Sequence, residues 1–231
     1  MKIAFFGDSL TEGIPGVACF DILREKLREH ELYNYGRGGD TVLSLYRRIQ
    51  RLRLPAPFDI AFLWVGTNDI LVHISPAYPV VKTLINQPWT RSEKEFADCY
   101  HSAVEFLGRK ARRVCTVSPL FIGEDLANDW NLRLERLCGI IADLSVERER
   151  TDYIDLREVF RPKLDKLEIS AYVPGSVATL GLDVLASKDP KQIDARSAER
   201  GLHFTMDGVH LNSAGAEIVA EVFRNRIDEV V

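Results

Sequence analysis

Asp59-Ile60-Ala61-Phe62-Leu63-Trp64-Val65 runs directly into Gly66-Thr67-Asn68-Asp69. An apolar run of this length, closed by glycine and small polar residues, predicts a strand buried on both faces that ends in a turn. The same arrangement recurs upstream. Residues 2–6 are a short apolar run ending in Gly7-Asp8-Ser9-Leu10, and residues 32–35 are another, closed by the loop of Gly36, Gly38 and Gly39. Residues 113–117 and 153–156 predict the fourth and fifth strands.

Helical patterns fill the intervals. Ala18, Ile22, Leu23 and Leu27 recur at helical spacing over 17–29. Thr41 can cap a helix through Leu43, Leu45, Tyr46, Ile49 and Leu52, and Ser92 one through Phe96, Tyr100, Val104 and Leu107. Residues 126–148 form a long amphipathic pattern, and 213–227 predict a closing helix. Strands alternating with helices imply an α/β fold with a parallel sheet covered on both faces, and right-handed crossovers leave few topologies. The 231 residues read as one domain over 1–231. Two stretches, 70–91 and 157–203, are longer than simple connections need and read as additions near the site.

The polar turns carry the chemistry. In an open parallel sheet, ligands collect beyond the carboxyl ends of the strands. Ser9, Gly39 and Asn68 follow the first three strands, and Asp207 and His210 come after the fifth. A serine hydroxyl needs a base to take its proton, and the base needs an acceptor to fix its tautomer. Asp207 and His210, three apart, can both be presented by one loop. Asn68 can donate its amide to an oxyanion, and Gly39 and Ser9 can offer backbone N–H groups. Each element also has a plainer reading. Ser9-Leu10-Thr11-Glu12 fits a capping box, Thr67-Asn68-Asp69 fits a turn, and Asp207 with His210 fits a surface turn before a helix.

Composition narrows the class. Thirty basic against thirty-four acidic residues give a net charge of −4, with no general basic face for nucleic acid. Arginine clusters at 47–53 and 109–113 read as solvated helix ends. No apolar run approaches a membrane span. The four cysteines form no C-x-x-C pair and read as small buried hydrophobes. A reducing, cytoplasmic location is expected, since no secretory leader is visible. Nothing in the pattern speaks to oligomeric state.

Taken together, Gly7-Asp8-Ser9-Leu10, Asn34-x-Gly36-x-x-Gly39-x-Thr41, Gly66-Thr67-Asn68-Asp69 and Asp207-x-x-His210 closely resemble the four blocks of the SGNH hydrolases, or GDSL esterase/lipase family. The resemblance spans roughly residues 4 to 220. It implies a three-layer flavodoxin-like fold with sheet order 2-1-3-4-5. It also implies a Ser9–His210–Asp207 triad and an oxyanion hole made by the Ser9 and Gly39 amides and the Asn68 side chain. Metal and organic cofactors are not expected.

The expected activity is hydrolysis of short- to medium-chain acyl or acetyl esters through an acyl-Ser9 intermediate. A carbohydrate O-acetylesterase or an acyltransferase would use the same triad. The expected partner is thus a small-molecule ester or an acetylated sugar. Asp8, Tyr78, Trp89, Tyr172 and His203 are expected to line the substrate pocket, with the apolar stretch 177–185 either part of a cap or a helix packed on the core or on a second subunit.

Overall fold

The computed structural model describes residues 1–74, 76–174 and 189–230. Its strands are β1 (Lys2–Gly7), β2 (Glu31–Gly36), β3 (Phe58–Trp64), β4 (Ala111–Val117) and β5 (Thr151–Ile154). They form one parallel sheet of order β2-β1-β3-β4-β5, the expected flavodoxin-like arrangement. The helices are α1 (Ser9–Glu12), α2 (Cys19–Lys26), α3 (Val42–Ile49), α4 (Thr67–Leu71), α5 (Ala77–Leu84), α6 (Glu93–Gly108), α7 (Asp129–Val146), α8 (Leu156–Leu164), α9 (Pro190–Glu199) and α10 (Ser213–Asp228).

Period-two alternation along the strands divides the core between the two faces. Ala4, Phe6, Ala61 and Leu63 pack with residues of α3, α6 and α7. Ile3, Phe5, Ile60 and Phe62 pack with residues of α2, α8 and α10. On that second face Phe5 and Phe62 stack at 4.7 Å, and Phe223 of α10 leans on both at 5.9 and 4.9 Å. Truncating Phe62 to alanine there should cost about 3–5 kcal/mol through lost transfer and a cavity.

Strand register positions the site. Gly7 lies opposite Gly36 of β2 and Trp64 of β3, so these three strands end level and deliver their loops to one edge. The caps expected at Thr41 and Ser92 are present, accepting the N–H groups of Ser44 and Glu95, each at 3.2 Å. Two helices are shorter than their sequence patterns. Asn128 caps α7 by accepting the Asn131 N–H at 2.8 Å, so α7 begins after the apolar pattern does. The helix expected over 17–29 is confined to Cys19–Lys26.

The arginine clusters are not simply solvated helix ends. Arg48 is held at 2.7 Å by the buried Asp40 and donates to the Tyr35 carbonyl. Arg112 and Arg113 belong to β4, where they face Asp59 and Asp152 at 3.6 and 2.8 Å. The 70–91 stretch contains α5, and 157–203 contributes α8 and α9. Residues 177–185, expected to form a cap or a packed helix, lie outside the described residues.

Candidate active site

The first block folds around Asp8 and not around Ser9. Asp8 is the N-cap of α1 and accepts the Leu10 N–H at 3.0 Å. The capping-box reading of Ser9 is therefore overturned: an aspartate one residue earlier satisfies the helix start, and Glu12 instead accepts the Gly38 N–H at 2.5 Å. This leaves the Ser9 hydroxyl free for another partner. Its Oγ lies 2.9 Å from His210 Nε2.

The segment before α10 presents His210 from a tight turn. Asp207 Oδ1 accepts the N–H groups of Val209 and His210 at 3.0 and 2.7 Å, and Oδ2 lies 2.7 Å from His210 Nδ1. Gly208, at φ 83°, supplies the left-handed residue that lets the turn close. Burial alone would raise the Asp207 carboxyl. The charge on His210 and the hydrogen bonds from His210 and Val209 outweigh it and hold Asp207 below the ordinary carboxylate range. Met206 and His210 bond across the turn, and Thr205 pairs with Leu211.

A residue that sequence reading missed braces this turn from outside. Glu124 is 1% exposed and accepts four hydrogen bonds, from the N–H groups of His203, Phe204 and Thr205 and from the Thr205 hydroxyl, at 2.8–2.9 Å. Its partners are backbone donors about eighty residues away, so no local motif announces it.

Asn68, in α4, is oriented at both ends of its amide. Tyr78 donates its hydroxyl to Asn68 Oδ1 at 3.1 Å, and Asn68 Nδ2 donates to Asp8 Oδ2 at 3.2 Å. Gly39 adopts φ 77°, a conformation that favours glycine. Beneath it lies a buried ionic group. Lys82 donates to the Gly39 carbonyl and, at 3.1 Å, to Gln87 Oε1, while Gln87 Nε2 donates to the Gly38 carbonyl at 2.8 Å. Burial lowers the Lys82 ammonium to about 8 against the opposing pull of Asp69, Asp8 and Asp40. Burial likewise raises Asp8 to about 6 and Asp69 to about 7.

Ser9, Gly39, Asn68 and His210 all line one cleft of about 530 Å³ at the carboxyl edge of the sheet. Leu71, Val81 and Ile85 form an apolar wall, with Ile14 and Pro15 also on the lining. The 70–91 stretch thus supplies much of one side, and the expected lining residues Asp8 and Tyr78 are there. Trp89, Tyr172 and His203 are not part of the lining, which corrects the sequence expectation. Trp89 packs against the core with Arg91 over its ring at 4.5 Å, and Tyr172 lies beneath Arg200 at 5.1 Å. The His203 ring bonds the Glu168 carbonyl at 2.9 Å. Sequence proximity placed these residues near the site but did not fix where their side chains go.

Among the described residues, no group of three or more His, Cys, Asp or Glu could hold a metal ion, and no helix is long and apolar enough to cross a membrane.

Comparison with known proteins bears on the family and the fold. The model of the GDSL-like lipase/acylhydrolase family matches residues 5–218. Among solved structures, the acetyl xylan esterase AlAXEase is similar at 24% identity and a TM-score of 0.64, covering 98% of this chain and 100% of its own. The acetylxylan esterase of Geobacillus stearothermophilus is similar at 16% identity and a TM-score of 0.67, over 98% and 93%. A member of the lipolytic G-D-S-L family from Veillonella parvula matches at 18% identity and a TM-score of 0.65, over 97% of each chain. At these identities the likeness is one of fold. No curated protein matches.

Proposed function

This chain belongs to the GDSL-like lipase/acylhydrolase family and is a carboxylic ester hydrolase, and from that premise we propose that Ser9 is its nucleophile and forms an acyl intermediate. The observation that carries the reading is the unbroken chain from Ser9 Oγ to His210 Nε2 at 2.9 Å and from His210 Nδ1 to Asp207 at 2.7 Å, inside the cleft.

As Ser9 Oγ attacks the ester carbonyl carbon, His210 Nε2 takes its proton. Asp207 keeps the other ring nitrogen protonated and supports the imidazolium that forms. The Ser9 and Gly39 N–H groups and the Asn68 amide receive the charge that moves onto the carbonyl oxygen. His210 then returns the proton to the departing alkoxide, and the alcohol leaves. Water, deprotonated by the same imidazole, attacks the acyl-Ser9 carbonyl, and collapse releases the acid and restores the hydroxyl.

The apolar wall of Leu71, Val81 and Ile85 fits a short- to medium-chain acyl group. A second reading, removal of acetyl groups from a carbohydrate, is favoured by the polar Arg37 and Glu12 on the same lining and by the acetyl xylan esterases among the similar folds. A fluorophosphonate probe should label the wild type at Ser9 and leave Ser9→Ala unlabelled and inactive. A panel of acyl p-nitrophenyl esters against acetylated saccharides then separates the two substrate classes. Full turnover by Ser9→Ala would end the proposal.

A further inference from the structure

Two polar side chains in the cleft wall have no part in the reaction as written, yet both bind the backbone next to it. Gln87 and Lys82 are 2% and 1% exposed, and hiding an amide and an ammonium is costly without a full set of partners. Their hydrogen bonds converge on two consecutive peptide groups. Lys82 Nζ can only donate, so its bond to Gln87 fixes which end of that amide is oxygen. Gln87 Nε2 is thereby turned to the Gly38 carbonyl, and Lys82 also holds the Gly39 carbonyl.

The Gly38 carbonyl and the Gly39 N–H belong to one peptide plane. In a trans peptide they point in opposite directions, so a donor fixed behind the carbonyl aims the N–H forward, on the side away from Gln87. A donor on the carbonyl also polarises the group and strengthens its N–H. The fit leaves no slack: a Cβ at Gly39 would fall 2.6 Å from Gln87 Oε1.

We propose that Gln87 and Lys82 are positioning residues for the oxyanion hole, locking the Gly38–Gly39 peptide so that the Gly39 N–H meets the developing charge. The inference rests on the reading of Ser9 as nucleophile and Gly39 as oxyanion donor. It also gives the 70–91 addition a role in turnover as well as in shaping the pocket.

The test is steady-state kinetics of Gln87→Glu and Gln87→Met on an acyl p-nitrophenyl ester, with kcat expressed per site titrated to completion by a fluorophosphonate. Both changes preserve length and remove the donor behind Gly38. The expected result is a kcat lower by roughly tenfold to a hundredfold with KM within about twofold, the pattern of an interaction made in the transition state. Lys82→Met, which frees Gln87 to turn, should show the same split and serves if the Gln87 variants do not fold. A purely structural role would instead lower the number of titratable sites and leave kcat per site unchanged. That outcome overturns the inference, provided Asn68→Ala is crippled in the same assay. Should Asn68→Ala also retain full kcat, the underlying site reading fails, and this inference with it.

Discussion

Asp8 Oδ2 accepts the Asn68 amide at 3.2 Å while Asp8 Oδ1 caps the Leu10 N–H at 3.0 Å. A single carboxylate thus fixes both the helix that carries Ser9 and the Asn68 amide, the proposed side-chain oxyanion donor. Burial raises it from 3.8 to about 6. The folded state therefore holds its proton more tightly than the unfolded chain, and ionising Asp8 opposes folding increasingly from about pH 4 to 6 and fully above.

Asp8→Asn removes this pH-dependent cost, so its stability relative to wild type should be more favourable at pH 8 than at pH 4 by ~1–3 kcal/mol. The same change turns an NH₂ group toward the Asn68 NH₂ and should lower kcat by about tenfold or more. Thermal unfolding at the two pH values, together with ester kinetics, checks both halves. A variant-minus-wild-type difference equal at the two pH values would contradict the burial argument.

Asn68→Ala should reduce kcat by about a hundredfold or more while the protein stays folded, because the lost donor acts on the transition state. It also leaves the Tyr78 hydroxyl without its acceptor, so Tyr78→Phe should partly separate that cost from the catalytic one.

Activity should decline on the acid side as the imidazole that must accept the Ser9 proton becomes charged. Asp207, held below the ordinary carboxylate range, favours folding at neutral pH, and that contribution is lost only as pH falls through its low value. It cannot account for the acid limb. The limb should persist both in Asp8→Asn and in Asp69→Asn, which together set the imidazole apart from the two raised carboxyls. Asp207→Asn should lower kcat by about a thousandfold or more by releasing the wrong tautomer.

Glu124→Gln replaces one accepting oxygen with a donor that meets the His203 or Thr205 N–H groups head on. A loss of about 1–3 kcal/mol is expected from the unpaired buried group. Hydrogen exchange should quicken over residues 203–210 ahead of the sheet. Uniform protection in the variant would count against a local brace.

Much of the fold was readable because each strand announces itself twice, by an apolar run and by the polar turn that stops it. The caps at Thr41 and Ser92 were equally local and equally legible. The four blocks could be assembled on one edge because parallel strands deliver their ends to the same side. What failed was orientation. Ser9 has the spacing of a cap, but the helix starts one residue earlier: the Asp8 side chain takes the Leu10 N–H and the Asp8 carbonyl takes the Glu12 N–H that a Ser9 cap would need. Trp89, Tyr172 and His203 are close in sequence to site elements, yet Arg91, Arg200 and the Glu168 carbonyl claim them. Lys82, Gln87 and Glu124 were invisible because their partners are backbone groups, which carry no residue identity to match.

The hydroxyl and the imidazole that share a 2.9 Å hydrogen bond are 201 positions apart in the chain. During synthesis the ribosome delivers the serine long before the histidine. On the proposed mechanism, a nascent polypeptide carries no base for its alcohol until translation has passed residue 210, and it is chemically silent until then.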